Sequence, residues 1–279
     1  MRSLRVSCWP PTPVPRYNVA MDEEQVVKGR ASLGRATKKG FRAAYDHLGY
    51  VVFITLVSFV AGAGLFSGGI AVLRAMPRGM WSIVLILPAV LGWFLCAVGA
   101  FYFANKSVYH EHPGLGDTWL GVKRLLAPAL SLFVVDLILT AVLAGDVVFF
   151  LGVLGAKGNI VFIGLGVLCG YVLLVWLMMS MYHLPLLIAQ TTMESGPKTF
   201  VILRKAFLLT ADNPAFTVGL FLVIIAFAVL CAIPAGIGMA LVYLGGIAFV
   251  LTHALRELFV KYGVVEEEPE VPADPGWPK

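Results

Sequence analysis

Between Pro214 and Thr252 the chain runs for 39 positions without a charged side chain. At 1.5 Å per helical residue such a run is about 58 Å long, nearly twice the ~30 Å of bilayer hydrocarbon, so it predicts two crossings. Pro234, Gly236 and Gly238 are the adjacent chain breakers near its centre, which places a tight hairpin there and spans at about 214–233 and 235–253. The whole chain shares this character: 59% of its 279 residues are hydrophobic, 13% are charged and the mean hydropathy is +0.87. A water-soluble domain would have too few polar residues to cover its surface. The expected fold is all-α, a polytopic integral membrane helix bundle.

Four further spans precede these two. Stretches at about 49–73 and 81–104 flank a tight turn at Arg74, Pro77, Arg78 and Gly79, with Trp81 where an interfacial aromatic belongs. A third covers about 125–144, and a glycine-rich connection with Asp146, Gly152, Gly155, Lys157 and Gly158 leads to a fourth at about 160–182. That run stays apolar to Ala189, roughly 45 Å of helix, so Pro185 should end or kink the crossing near Tyr182 and leave the remainder in the interface. Residues 1–40 read as a disordered arm, in which Met21 before Asp22-Glu23-Glu24 has the form of a protein start and leaves Met1 or Met21 open. Residues 263–279 read as a disordered acidic, proline-rich tail, so the membrane domain is 41–262.

Lys and Arg decide the orientation. Eighteen lie in the N-terminal region, the loops around 105–124 and 190–213 and the tail, against Arg74, Arg78 and Lys157 on the other side. Six spans with both termini cytoplasmic satisfy this count. The net charge of +5 does not point to nucleic acid, because the cations stand beside apolar spans instead of forming a groove with exposed aromatics. Of four cysteines, Cys96, Cys169 and Cys231 fall in apolar runs and Cys8 in the arm, with no CxxC pair, so neither a disulfide framework nor a zinc site is indicated.

Two short basic segments stand just before a span and repeat one design. Phe200, Leu203 and Phe207 recur at helical spacing beside Arg204 and Lys205, and 81 positions earlier Trp119, Val122 and Leu126 do so beside Lys123 and Arg124. Both are expected to be amphipathic helices on the membrane surface, with rings in the acyl boundary and cations toward anionic headgroups. Phe41, Ala44 and Leu48 loosely echo the same apolar spacing before the first span. These basic residues are candidates for docking anionic lipid or a partner. The alternative is that they only set orientation.

Asp136 is the sharpest polar signal, about halfway along the third expected span, where an aspartate costs roughly 3 kcal/mol to insert. It reads either as a proton, cation or ligand site or as a structural carboxylate satisfied inside the bundle. With the fourth span at 161–181, Tyr171 comes to similar depth and Thr140 lies one turn away, so these are its expected partners. His183, some 18 Å off on the same arithmetic, is not, and is expected as an interfacial anchor. His110 and His112 flank Glu111, too few ligands in a loop to make a metal site. Gly64 with Gly68 and Gly166 with Gly170 form GxxxG pairs suited to close helix packing, within the chain or between copies. No phosphate loop, HExxH or GxSxG is present, so neither a cofactor nor enzyme activity is expected.

Tyr182-His183-Leu184-Pro185-Leu186-Leu187, the stretch from Phe200 to Ala206, Asn213-Pro214 and the closing Ala254-Leu255-Arg256-Glu257 resemble the YesL-like family of bacterial multi-pass membrane proteins. The segment from Gly116 to Arg124 is similar to that family's basic loop after the second span, and the likeness covers roughly residues 41–262. The resemblance implies a bundle of about six helices in the bacterial inner membrane. The family has no established activity, and its members often accompany carbohydrate-uptake genes. A non-enzymatic accessory to transport is therefore expected, with transporter subunits as partners. The alternative is a small transporter or channel that uses Asp136. Oligomeric state stays open.

Overall fold

The computed structural model describes residues 31–75, 81–109, 113–155, 159–192, 197–234 and 236–265; of 63–75, 81–86, 89 and 192 it describes the backbone alone. The regular structure is helical, with no strand among the described residues. Helix α1 spans Leu33–Asp46, α2 Leu48–Ala75, α3 Trp81–Val108 and α4 Leu115–Val147, which runs on as a π-helical segment Val148–Leu154. Helix α5 spans Ile160–Ser180, α6 His183–Ala189, α7 Thr199–Asp212 and α8 Pro214–Ala232. A second π segment, Met239–Tyr243, opens into α9, Leu244–Lys261. The turn expected at Pro234 to Gly238 is present, with Gly236 in the left-handed region at φ 78°.

Four helices among the described residues are long and apolar enough to cross a membrane: Leu115–Leu154, Ile160–Ala189, Pro214–Ala232 and Met239–Lys261. A fifth results if α1 and the start of α2, bent by 87°, count as one. The all-α architecture expected from the apolar runs is the one observed.

Helix α9 is the hub. Of its most apolar eighteen residues 61% are buried, against none in α4 and 6% in α5. Close approach explains how so many elements reach it. A Cβ on Gly40 of α1 would lie 2.7 Å from Val250 Cα, and one on Gly245 would lie 2.9 Å from Val51 Cα of α2. The Gly245 N–H donates to Thr55 Oγ1 at 3.0 Å, and His47, at the bend between α1 and α2, stacks on Phe249 and meets Ser107 Oγ at 2.7 Å.

Two expectations need correction. The arm expected over 1–40 is helical from Leu33, because Ser32 caps the first turn by accepting from Arg35 N–H and the small residues Ala36, Gly40 and Ala44 form one face against α9. The first basic surface helix is not separate. Residues Leu115–Val147 form one uninterrupted helix through Pro128, since Leu125, Ala129, Leu132 and Phe133 carry the buried helical repeat across the proline. The chain does turn at Met181–Tyr182 as expected, and the remainder packs into the bundle. Helix α6 is interior, with Leu186, Leu187 and Ile188 enclosed. The second basic helix, α7, is separate as expected.

Candidate functional site

The register of the α4–α5 hairpin decides which polar groups meet. The two helices run antiparallel from the connection at 155–159, with Leu151 packed on Gly166 and Thr140 opposite Trp176, whose Nε1–H donates to Thr140 Oγ1 at 2.9 Å. One turn further from the connection, Asp136 Oδ1 stands 2.9 Å from Nδ1 of His183, the first residue of α6. The Trp176 ring meets the imidazole edge to face, with centroids 5.4 Å apart. Asp136, Thr140, Trp176 and His183 thus form one cluster at the foot of the hairpin.

This overturns the pairing expected from depth. His183 is the partner of Asp136, and it is enclosed at 1% exposure instead of anchoring in the interface. Tyr171 lies opposite the region of Gly145 and is 65% exposed, so it does not pair with Asp136. Thr140 joins the cluster through Trp176 and makes no bond to the carboxylate. The depth arithmetic failed because it centred the third span at 125–144. The hairpin instead matches α5 to the final part of α4 and its π segment, so Asp136 falls opposite the inner end of α5. Counting outward from the turn in the sequence would have found this: Asp136 then lands opposite residues near 180.

The contact between Asp136 and His183 is close without being a linear hydrogen bond. The carboxylate oxygen lies out of line with the ring N–H, and His183 Nε2 has no hydrogen-bonding partner. A carboxylate and an imidazole at this distance can hold a proton between water and the bundle interior. Among the described residues no three His, Cys, Asp or Glu side chains gather as for a metal ion. His110, Glu111 and His112 lie outside the described residues, as do the contacts of Gly64 and Gly68. Gly166 packs inside the hairpin against Leu151, while a Cβ added at Gly170 would meet nothing within 4 Å.

The basic candidates occupy two helix faces. Trp119 is 63% exposed with Lys123 Nζ 5.3 Å from its ring centroid, and Arg124 beside it is exposed. On α7, Ile202, Ala206 and Leu209 face the core while Phe200 (78% exposed), Phe207, Leu208 and Arg204 face outward. Lys205 is half-buried, and burial lowers the pKa of its ammonium group. At the far end of α7 a cleft of about 370 Å³ is bordered by Asp212, Asn213, Phe216 and Lys261. Its polar groups satisfy one another: Lys261 Nζ donates to Asn213 Oδ1 at 2.6 Å and sits 3.6 Å from Asp212, and Tyr262 donates to Asp212.

No family model, curated protein or solved structure matches this chain. The functional reading therefore rests on the residues themselves.

Proposed function

We propose that this chain is a non-enzymatic bacterial inner-membrane protein with six spans and cytoplasmic termini, of the YesL-like kind. It serves as an accessory to a transport system, docking through its two basic faces. One observation carries the reading: α7 is apolar on both sides, with one face in the bundle and the other presenting Phe200, Phe207 and Leu208 together with Arg204. Such a helix in water would expose large apolar side chains without return; at a membrane surface or under a partner they are covered and the cation meets an anionic group. Trp119 and Lys123 present the same combination on α4.

The test replaces Lys123, Arg124, Arg204 and Lys205 with Gln and purifies the tagged chain from native membranes in mild detergent. Loss of a transporter subunit that accompanies the wild type, with the bundle still inserted, is the expected result. Undiminished recovery of that subunit refutes it.

The Asp136–His183 contact favours a second reading, a small transporter or channel with the partly exposed carboxylate on its path. Asp136→Asn should then abolish proton flux in reconstituted vesicles at unchanged protein content.

A further inference from the structure

At the foot of the α4–α5 hairpin, burial and partnering do not match. His183 is enclosed, yet Nε2 has no partner and Nδ1 faces the carboxylate out of line. Gln190, two turns along from His183 in the 3₁₀ extension of α6, is likewise buried with its Nε2 unpartnered. Buried polar atoms of this kind are completed by internal water or a ligand. His183 also makes the ion pair that joins α4 to α6.

We propose that Asp136 and His183 bind one exchangeable proton in a site completed by internal water, and that this proton holds the hairpin to α6. This deepens the second reading above without requiring net transport. The step balances simply: a hydronium ion gives its proton to the imidazole and leaves water, and water takes it back on release. Loaded, the site is a carboxylate beside an imidazolium, with no net charge. Unloaded, it is a carboxylate beside a neutral ring, and Asp136, 21% exposed, can turn toward solvent. A single proton on the carboxylate instead would leave both groups neutral; it goes to the ring because imidazole is ordinarily the stronger base of the two, and the carboxylate 2.9 Å away supplies the counter-charge. The exchange therefore occurs at the ring, and the carboxylate is the group free to move.

The neighbours leave the pair to itself. Of the elements packed on α6, α5 contributes the Trp176 ring and no charged residue, its other titratable groups being Cys169 and Tyr171. Helix α3 carries Cys96, Tyr102 and Lys106, the last held by Asp117 at 3.1 Å. Helix α7 carries Arg204, Lys205 and Asp212, and α9 carries His253, Arg256, Glu257 and Lys261. None of these makes a hydrogen bond or ion pair with Asp136 or His183 among the described residues. The consequence of unloading falls on the hairpin, whose most apolar stretches are almost wholly unburied and whose other polar tie to the bundle at this level, among the described residues, is the contact of Ser131 with Thr199.

The test is nitrogen NMR of the full chain, labelled at its five histidines, in lipid nanodiscs. His183→Gln identifies the His183 ring signals by their disappearance. Across about pH 5 to pH 8, the interval in which histidine exchanges its charge, the wild-type ring should pass reversibly between imidazolium and neutral forms. Asp136→Asn should remove the imidazolium form from that interval, and Asp136→Glu should restore it. A His183 ring that keeps one protonation state throughout in the wild type overturns the proposal without relying on any variant to fold. So does an Asp136→Asn titration indistinguishable from wild type. Vesicle flux separates the two readings: a ring that loads and unloads while vesicles show no proton flux refutes transport and upholds this site.

Discussion

Replacing Gly40 with alanine should loosen the bundle at its hub. The added Cβ would stand 2.7 Å from Val250 Cα and 3.2 Å from Val250 N. Ordinary contact begins at 3.4 Å, so α1 and α9 must part by about 0.7 Å, the difference between the two distances, because a backbone atom cannot rotate aside. Overpacking of this kind costs about 1–3 kcal/mol. Against it, alanine in a helix interior returns about 0.5–1 kcal/mol of backbone entropy. The net is a loss of about 1 kcal/mol, and Gly40→Val should lose more. Gly34 provides the control in the same helix: nothing lies within 4 Å of its Cβ position, so Gly34→Ala should be neutral or stabilising. The assay is thermal unfolding of the full chain in detergent, followed by labelling of the buried Cys231 thiol. Gly40→Ala and Gly40→Val both as stable as wild type would refute the tight α1–α9 contact.

Two further tests probe polar ties. The Asp117 carboxylate is held below its ordinary 3.8, first by the Gly114 N–H that donates to it and then by Lys106. A depressed carboxylate stabilises the fold above its unfolded value and loses that contribution as pH falls through its folded value. Asp117→Asn should therefore flatten the acid limb of the stability curve below the ordinary carboxylate range, and an unchanged limb would count against the tie. Tyr182 and Thr217 share a fully enclosed hydrogen bond of 3.0 Å. Tyr182→Phe should cost about 1 kcal/mol, and adding Thr217→Val should recover part of it; simple additivity of the two losses would show that the hydroxyls are not coupled.

Apolar run length made the helices legible in the sequence, because it needs no tertiary information. Each of the six long apolar stretches holds a helix, and the breakers at Pro234 and Gly236 fall where the chain turns. What failed was where helices stop and which residues face each other. The repeat of Leu125, Ala129 and Leu132 overrode Pro128, and small residues in α1 signalled packing while its charges suggested an unfolded arm. The candidate site was half legible. Asp136 stood out by its charge in an apolar run, but its partner depended on which part of the following helix stood opposite it, and Tyr171 and His183 lie twelve residues apart.

The place of α9 in the chain has a consequence for how the protein is made. Gly245 bonds to Thr55 across 190 residues, so the early helices are made well before the helix they pack against has been synthesised. At about 5–20 residues per second the ribosome takes roughly 10–40 s to cover that distance. Throughout that interval the faces of α1 and α2 that will meet α9 lack the surface that buries them. Assembly thus waits on the final hairpin, and a ribosome stalled between α8 and α9 would leave a set of helices with no centre.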